Sequence, residues 1–192
     1  MEHELINQEI RHCIDVLRKG GTILYPTDTI WGIGCDATNP RAVQKVFKIK
    51  KRMESKSMIV LLDQKEKLDT YVETIPPIAL DLVENIKTPL TIIYPNAKNL
   101  AKNIIAGDGT IAIRVVHFEF CYRLVRMFGK PVVSTSANIA GQNPPLMFRN
   151  IPEEILQQVD YTVNLYREEI HETKPSTIIK VNTLGEFEII RK

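Results

Sequence analysis

Cysteine is scarce in this 192-residue chain, and its spacing excludes two common kinds of structural site. Cys13, Cys35 and Cys121 lie far apart and are odd in number, so they form neither a metal-binding spacing nor a disulfide framework. We expect buried or partly exposed thiols in a reducing compartment. The histidines likewise lack the spacing of a metal site or a catalytic triad: His3, His12, His117 and His171.

Long apolar runs and a targeting signal are also missing. No run approaches the ~18 apolar residues of a membrane span, and the start, Met1-Glu2-His3-Glu4, is acidic and polar, unlike a signal peptide. We therefore predict a cytoplasmic protein with no membrane partner. A hydrophobic fraction of 44% predicts one domain, 1–192, with a substantial core. The net charge of only +2 weighs against a bulk nucleic-acid binder, which is usually strongly basic.

Several catalytic motifs are absent as well. The chain has no Walker loop, no G-x-G-x-x-G fingerprint and no G-x-S-x-G elbow. The polar loops and the basic stretch instead contain hydroxyl groups, an amide and several cations. These groups suit a protein that holds a phosphate chain and brings two bound substrates together to react. Mg²⁺ would then be carried mostly by the nucleotide's phosphates, and no metal held by the protein is predicted.

The densest positive charge lies between Lys45 and Lys56, where six basic residues accompany one acid, Glu54. The run sits between a predicted helix and an apolar strand. Cations at a helix C-terminus complement the helix dipole, but that effect is only ~0.3–1 kcal/mol per charge. Like charges crowded at a structured junction repel each other unless an anion neutralises them. The stretch is therefore either solvated surface or part of an anion site.

Strands and helices alternate along the chain, which predicts a three-layer α/β fold (α+β in some schemes) with a twisted, mixed sheet. Hydrophobic periodicity and capping signals predict helices over 5–17, 41–50, 64–72, 78–86, 117–128 and 152–158, and a short helix or loop over 98–105. Strands are predicted over 22–25, 58–62, 89–94, 110–115, 131–134, 161–165, 176–181 and 187–190. Arg114 ends one strand, where a lone arginine is more often a surface residue than a ligand clamp.

Two polar loops follow predicted strands. The first, Pro26 to Gly34, carries small hydroxyls, one acid, one large aromatic and two glycines. The second, Ser134 to Gly141, carries hydroxyls and an amide. Ligands in α/β sheets usually sit beyond strand ends, and glycines let the backbone come close to a ligand. For the first loop, a turn capped by its own Thr and Asp side chains is an equally open interpretation.

Together these pieces resemble the YrdC/Sua5 family, whose members are L-threonylcarbamoyladenylate synthases. The resemblance spans roughly residues 5–191 and rests on short motifs in order: Gly20-Gly21-Thr22, Pro26-Thr27-Asp28-Thr29, Trp31-Gly32-Ile33-Gly34, Lys50-x-Arg52, Ile59-Val60 and Ser136-Ala137-Asn138 with Gly141. Weaker matches are Pro89-Leu90-Thr91, Ala112-Ile113-Arg114 and Ser176-Thr177-Ile178-Ile179. The resemblance implies a mixed sheet with helices around a large, basic, concave cleft.

The resemblance also implies site residues. By similarity, six residues bind the nucleotide: Lys50, Arg52, Ser136, Asn138, Ser176 and Arg191. Lys50 and Arg52 are also the predicted catalytic pair, and we expect both to face solvent, so that truncating either leaves the fold intact. Two residues are expected to bind threonine, Thr29 and Arg114, with the arginine taking the carboxylate.

The implied reaction condenses L-threonine, bicarbonate and ATP into threonylcarbamoyl-AMP and pyrophosphate. A downstream transferase complex would use the product for N6-threonylcarbamoylation of adenosine 37 in tRNAs that read ANN codons. Direct contact with tRNA or double-stranded RNA is a further predicted interaction. Two alternatives stay open: a non-catalytic RNA-binding or ribosome-maturation relative with the same cleft, and a nucleotide-binding protein with another acyl or amino-acid substrate.

The sequence departs from the family pattern in several places. Trp31 stands where the family usually has Tyr, which keeps an aromatic wall and loses a phenolic hydroxyl. Lys87-Thr88-Pro89 replaces a Trp-Pro-Gly-Pro segment. Residues 167–175 replace a glycine-rich segment, and their acids would repel ATP where they point inward. The chain ends at Lys192, so we expect the short form without a C-terminal extension domain.

Overall fold

A computed structural model describes residues 2–53, 58–168 and 176–192 of the chain. The strands in these ranges are β1 (Ile23–Tyr25), β2 (Gly32–Gly34), β3 (Ile59–Leu62), β4 (Leu90–Tyr94), β5 (Ile111–Val115), β6 (Val132–Ser136), β7 (Tyr161–Thr162), β8 (Thr177–Val181) and β9 (Phe187–Arg191). They form one sheet in the order β7-β1-β2-β6-β3-β5-β4-β8-β9. The pairs β1–β7, β3–β5 and β4–β8 are parallel and the others antiparallel, so the predicted mixed α/β sheet is confirmed.

Helices connect the strands. They are α1 (Glu2–Arg18), α2 (Pro40–Ile49), α3 (Leu68–Tyr71), α4 (Pro77–Asn85), α5 (Glu119–Phe128) and α6 (Glu153–Leu156), with single 3₁₀ turns at Lys65–Lys67 and Phe148–Asn150. The helix predicted over 64–72 is thus a 3₁₀ turn followed by α3, and the one over 152–158 is shorter. No helix in the described ranges has the length and apolar character that crossing a membrane requires.

Local sequence signals explain helices α1 and α2. Helix α1 buries an apolar stripe at helical spacing and packs on α5. The N-terminus of α2 is capped by Asn39, whose Oδ1 accepts hydrogen bonds from the backbone amides of Arg41 (3.0 Å) and Ala42 (3.2 Å). Pro40 occupies the first helical position, as predicted. Helix α2 then delivers Lys50 and Arg52 to the neighbourhood of the sheet.

Strand β2 is the main element that sequence reasoning missed, because Gly32–Gly34 was interpreted as part of a loop. It lies between β1 and β6, with Gly32 opposite Ser136 and Ile33 opposite Thr135. A Cβ at Gly34 would lie 2.6 Å from Cε1 of Tyr25 and 2.7 Å from the carbonyl oxygen of Val133, so only glycine fits. This pairing brings the two polar loops together at one edge of the cleft.

Candidate functional site

A cavity of about 290 Å³ opens on the sheet face formed by alternate residues of the central strands. Its floor is apolar and includes Ile59 and Leu61 of β3, Ala112 of β5 and Ile178 of β8. Polar and aromatic groups line the rest: Thr27, Thr29, Trp31, Arg52, Arg114, Ser134, Thr135, Ser136, Ser176 and Arg191. The described residues that line the cavity therefore supply three guanidinium groups and six hydroxyls, and no carboxylate.

Three arginines make the wall of this cavity rich in positive charge. Loss of solvation lowers the pKa of the Arg52 and Arg191 guanidinium groups below its usual range. Arginine nonetheless stays protonated throughout the physiological pH range. Partly desolvated cations favour an anionic ligand, because such a ligand replaces the lost hydration.

Arg114 is buried, with 6% of its surface exposed, although a surface position was the commoner expectation for it. Its Nη2 donates to Oδ2 of Asp28 in a short ion pair. The other carboxylate oxygen, Oδ1 of Asp28, is buried and has no hydrogen-bond partner among the described residues. Asp28 was not among the predicted site residues, although it is the one acid of the first polar loop and part of the Pro26-Thr27-Asp28-Thr29 motif. The pair fixes the guanidinium of Arg114 at the cavity edge.

The first polar loop is both a capped turn and part of the cavity. Oγ1 of Thr27 donates to the carbonyl oxygen of Ile30 (2.6 Å) and accepts from the amides of Thr29 (3.1 Å) and Ile30 (3.2 Å). The hydroxyls of Thr27 and Thr29 lie 3.0 Å apart. Both side chains also line the cavity. The two interpretations left open by the sequence are therefore compatible, since the turn holds the hydroxyls where a ligand can reach them.

The second polar loop is held by Lys50, which is 1% exposed, so the expectation that Lys50 faces solvent was wrong. Its Nζ donates to the carbonyl oxygens of Ser136, in a short contact, and of Asn138, at 2.8 Å. The carbonyl oxygen of Lys50 in turn accepts from the amide of Ala140 at 2.9 Å. Lys50 is not among the residues that line the cavity. It stands behind the loop and fixes the position of Ser136, which does line it.

The ammonium group of Lys50 carries an electrostatic cost. Burial, followed by the nearby charge of Arg52, lowers the pKa of Lys50 from 10.5 to about 8. The two carbonyl oxygens it contacts oppose that trend, because they accept hydrogen bonds from the protonated form. The protonated Lys50 side chain is therefore buried at an energetic cost, and in return its hydrogen bonds hold the backbone of the second polar loop in place.

Asn138 also stabilises the second polar loop. It is 6% exposed, and its Nδ2 donates to the carbonyl oxygens of Ile139 (3.0 Å) and Gln142 (2.7 Å). Oδ1 of Asn138 is buried and has no acceptor role in any hydrogen bond among the described residues. Asn138 does not line the cavity.

Strand β9 contributes the third arginine. Arg191 donates from Nε (3.1 Å) and Nη2 (2.8 Å) to the carbonyl oxygen of Ser176. The Ser176 hydroxyl lies 2.8 Å from Oγ1 of Thr91, a buried residue of β4. Ser176 and Arg191 therefore form one unit at the end of the cavity opposite the two polar loops.

Six of the eight predicted site residues line one cavity: Thr29, Arg52, Arg114, Ser136, Ser176 and Arg191. Other members of the basic stretch face elsewhere, since Lys45 donates to the carbonyl oxygen of Gly20 (2.9 Å) and Lys51 pairs with Glu154 (2.6 Å). Residues 54–57 and 169–175 lie outside the described residues. Within the part of the chain that is described, no cluster of three or more His, Cys, Asp or Glu could hold a metal ion.

This α/β sheet carries an arginine-lined, hydroxyl-rich cavity beside its strand ends, which is where α/β proteins usually bind their ligands. The Sua5/YciO/YrdC family model, described as telomere recombination, matches residues 15–192. The chain therefore belongs to this family, as its motifs predicted.

Curated relatives and solved structures agree with this assignment. A threonylcarbamoyl-AMP synthase of Pseudoalteromonas translucida is 37% identical over 88% of this chain and 91% of that protein. The enzyme of the same name from Blochmanniella pennsylvanica is 34% identical over 87% of this chain and 86% of that protein. P. abyssi Sua5 complexed with L-threonine has a TM-score of 0.82 at 26% identity over 90% of this chain. The chain spans 50% of the length of that Sua5.

Burial of Lys50 predicts a specific pH dependence of stability. Between pH 8 and 10.5 the native state releases the Lys50 proton while the unfolded state keeps it, so the contribution of Lys50 to the free energy of unfolding rises with pH, by about 3 kcal/mol in total. Urea unfolding of the wild type and Lys50→Met from pH 7 to 10 measures this. The three buried cysteines, whose pKa values burial raises, titrate in both proteins and cancel in the difference.

A difference between the two proteins that grows with pH in favour of the wild type is expected. A difference that stays flat across this range would mean that Lys50 has an ordinary pKa and is not confined behind the loop.

Proposed function

We propose that this protein is an L-threonylcarbamoyladenylate synthase, which condenses L-threonine, bicarbonate and ATP into threonylcarbamoyl-AMP and pyrophosphate. The observation that carries the proposal is the convergence of Arg52, Arg114 and Arg191 on one cavity with two hydroxyl loops. The names of the curated relatives support the same activity. The non-catalytic RNA-binding alternative has no comparable support.

The nucleotide phosphates would be held on one side of the cavity. Arg52 supplies charge-assisted hydrogen bonds to the phosphate chain, with Ser136 beside it. Lys50 and Asn138 act through the loop, holding Ser136 in place, rather than through the direct contacts predicted from the sequence. Ser176 and Arg191 bind the nucleotide from the opposite end of the cavity.

Threonine would occupy the side of the cavity next to the first loop. Arg114 takes the carboxylate, and Thr29 contributes a hydroxyl. Asp28 forms an ion pair with the guanidinium of Arg114, so Asp28 sets the orientation of that guanidinium towards the ligand. The L-threonine complex of P. abyssi Sua5 supports an amino-acid site in this fold.

The chemistry needs no nucleophile from the protein. Bicarbonate takes up a proton and loses water to give CO₂. The neutral threonine amine captures this CO₂ as a carbamate and releases a proton. A carbamate oxygen then attacks the α-phosphorus of ATP, forming one P–O bond while the bond to the β-phosphate breaks and pyrophosphate leaves. The arginines stabilise the negative charge that grows on pyrophosphate, and the cavity contributes mainly by holding both reactants in contact.

Mg²⁺ would enter as part of the ATP substrate. The described residues that line the cavity include no carboxylate, and Asp28, whose partner Arg114 does line it, is already engaged in that ion pair. Phosphate oxygens and water are therefore the ligands left for the ion.

The product would pass to a downstream transferase complex that modifies adenosine 37 of tRNAs reading ANN codons. We expect residues 1–192 to act as one domain and to carry out this reaction in the cytoplasm. Direct contact with tRNA or double-stranded RNA remains a prediction from the family resemblance.

The activity itself is tested by pyrophosphate release. Purified protein with Mg²⁺ should release pyrophosphate only when ATP, bicarbonate and L-threonine are all present. Arg52→Ala should abolish release with little change in the urea midpoint, because Arg52 faces the cavity. Lys102→Ala, an exposed lysine away from the cavity, serves as the matched control and should keep full activity. Absence of release by well-folded wild-type protein would overturn the proposal.

The threonine site is tested by neutralising the Asp28–Arg114 pair. Removing Arg114 alone would leave a partly buried, unpaired carboxylate at Asp28, so the test variant is the double substitution Asp28→Asn, Arg114→Gln. The threonine concentration at half-maximal rate should rise about tenfold or more, the cost of losing a charge-assisted hydrogen bond. The ATP requirement should change far less.

Asp28→Asn alone keeps the guanidinium and should have the smaller effect of the two variants. The reverse pattern in the double variant, a raised ATP requirement with an unchanged threonine requirement, would mean that the two substrates are assigned to the wrong sides.

A further inference from the structure

Strand β9 leaves one edge of the sheet open. It is the last strand in the sheet order, so β8 is its one neighbour within the described part of the chain. All five of its residues are exposed, and Phe187, Ile189 and Ile190 each keep about half of their surface in solvent. The opposite edge of the sheet is β7, which has only two residues. Because an exposed apolar edge strand offers unpaired backbone groups to another chain, β9 is where association is expected.

The pairing of β9 with β8 determines which of its side chains share the cavity face. Arg191 lies opposite Ile178, and Glu188 lies opposite Lys180. Ile178 lines the cavity, and Lys180 is two positions further along β8, on the same face. Glu188 and Arg191 therefore both point to the cavity face of the sheet.

The other face of β9 is apolar. Phe187 and Ile189 lie opposite Val181 and Ile179, which are buried on the face away from the cavity. The register shifts between Ile178 and Ile179, which leaves Ile190 as the extra residue of a bulge. A twofold axis through a regular strand pair therefore falls on one of the other four residues of β9.

Charge selects one register for a pair of identical β9 strands. A twofold axis sets one residue opposite its own copy. An axis at Glu188 or at Arg191 would place like charges opposite each other, and an axis at Phe187 would place Glu186 opposite the partner's Glu188. Like charges directly opposite each other destabilise a strand pair. An axis at Ile189 avoids all three conflicts.

The register at Ile189 also joins groups that attract each other. On the face away from the cavity, Phe187 and Ile189 of both copies form one apolar cluster. On the cavity face, Glu188 lies beside the partner's Arg191, because the extra residue Ile190 displaces the arginine by one position. The twofold axis repeats this contact, so the pair has two opposite-charge contacts. Cross-strand pairs of both kinds stabilise a sheet.

We propose that two copies of this chain dimerise by pairing their β9 strands antiparallel about a twofold axis at Ile189, with Glu188 of each copy beside Arg191 of the other. A second copy is the partner because the same five residues supply both halves of every complementary contact. Arg191 also lines the cavity, so the partner's Glu188 orients this guanidinium as Asp28 orients that of Arg114. The dimer goes beyond the proposed reaction and does not rest on it.

Analytical ultracentrifugation of the full-length protein tests the dimer. A pair of five-residue strands is a small interface, so the mass should rise from that of one chain toward that of two between about 1 and 200 µM protein. Ile189→Lys places two ammonium groups at the axis and should keep the protein monomeric throughout. Leu184→Lys, at an exposed leucine in the turn before β9, is the matched control and should dimerise like the wild type.

Both positions are exposed, so neither substitution should change the urea midpoint. A wild type that stays monomeric over this range would overturn the proposal. A dimer that Ile189→Lys leaves intact would overturn it as well, because that dimer would lie on another surface.

Paired charge reversals test the register. Glu188→Lys sets a cation beside the partner's Arg191, and Arg191→Glu sets an acid beside the partner's Glu188, so each variant alone should be monomeric. When the two variants are mixed in equal amounts, both opposite-charge contacts are restored and a heterodimer should form. A mixture that stays monomeric while the wild type dimerises would contradict the proposed register. None of these readouts involves turnover, so failure of pyrophosphate release would count against the proposed reaction and not against the dimer.

Discussion

The buried ammonium group of Lys50 determines where the second polar loop lies. By donating to the carbonyl oxygens of Ser136 and Asn138, it fixes the loop that borders the cavity. The same loop bonds to the carbonyl oxygen of Trp31 through the amide of Ala137, so the position of the first loop depends on it too. A cation from the end of α2 thus sets the geometry of both ligand loops. The lowered pKa of Lys50 reflects the electrostatic cost of burying its ammonium group behind the loop.

Charge is distributed unevenly around the cavity. Arg114 forms an ion pair with Asp28, whereas burial lowers the pKa of Arg52 and of Arg191 by removing part of their hydration. The matched arginine has a fixed orientation, which suits recognition of one carboxylate. The other two line the same cavity, and two guanidinium groups suit a more highly charged ligand such as a phosphate chain. This division is the physical reason for placing the amino acid and the phosphates on different sides.

Much of the fold could be predicted because its signals are local, such as the Asn39-Pro40 cap and the apolar stripe of α1. The site residues were named from motif resemblance, and six of the eight line the cavity. What could not be predicted depends on distant partners. Lys50 contacts residues 86 and 88 positions away along the chain. A basic stretch that is expected to be exposed therefore contains a buried lysine, and the sequence around it gives no sign of its distant partners. Strand β2 has a Gly-Ile-Gly sequence, in which two glycines weaken the strand propensity of the isoleucine, and close packing on Tyr25 and Val133 explains why glycine is there.

The central claim is that one cavity holds the nucleotide phosphates and the amino acid together. Calorimetric titration of ATP with and without saturating L-threonine tests it most directly. Two ligands in contact must be coupled, so the affinity for ATP should change with threonine, and that for threonine should change by the same factor with ATP. Measurable ATP binding that is identical with and without threonine would contradict the account.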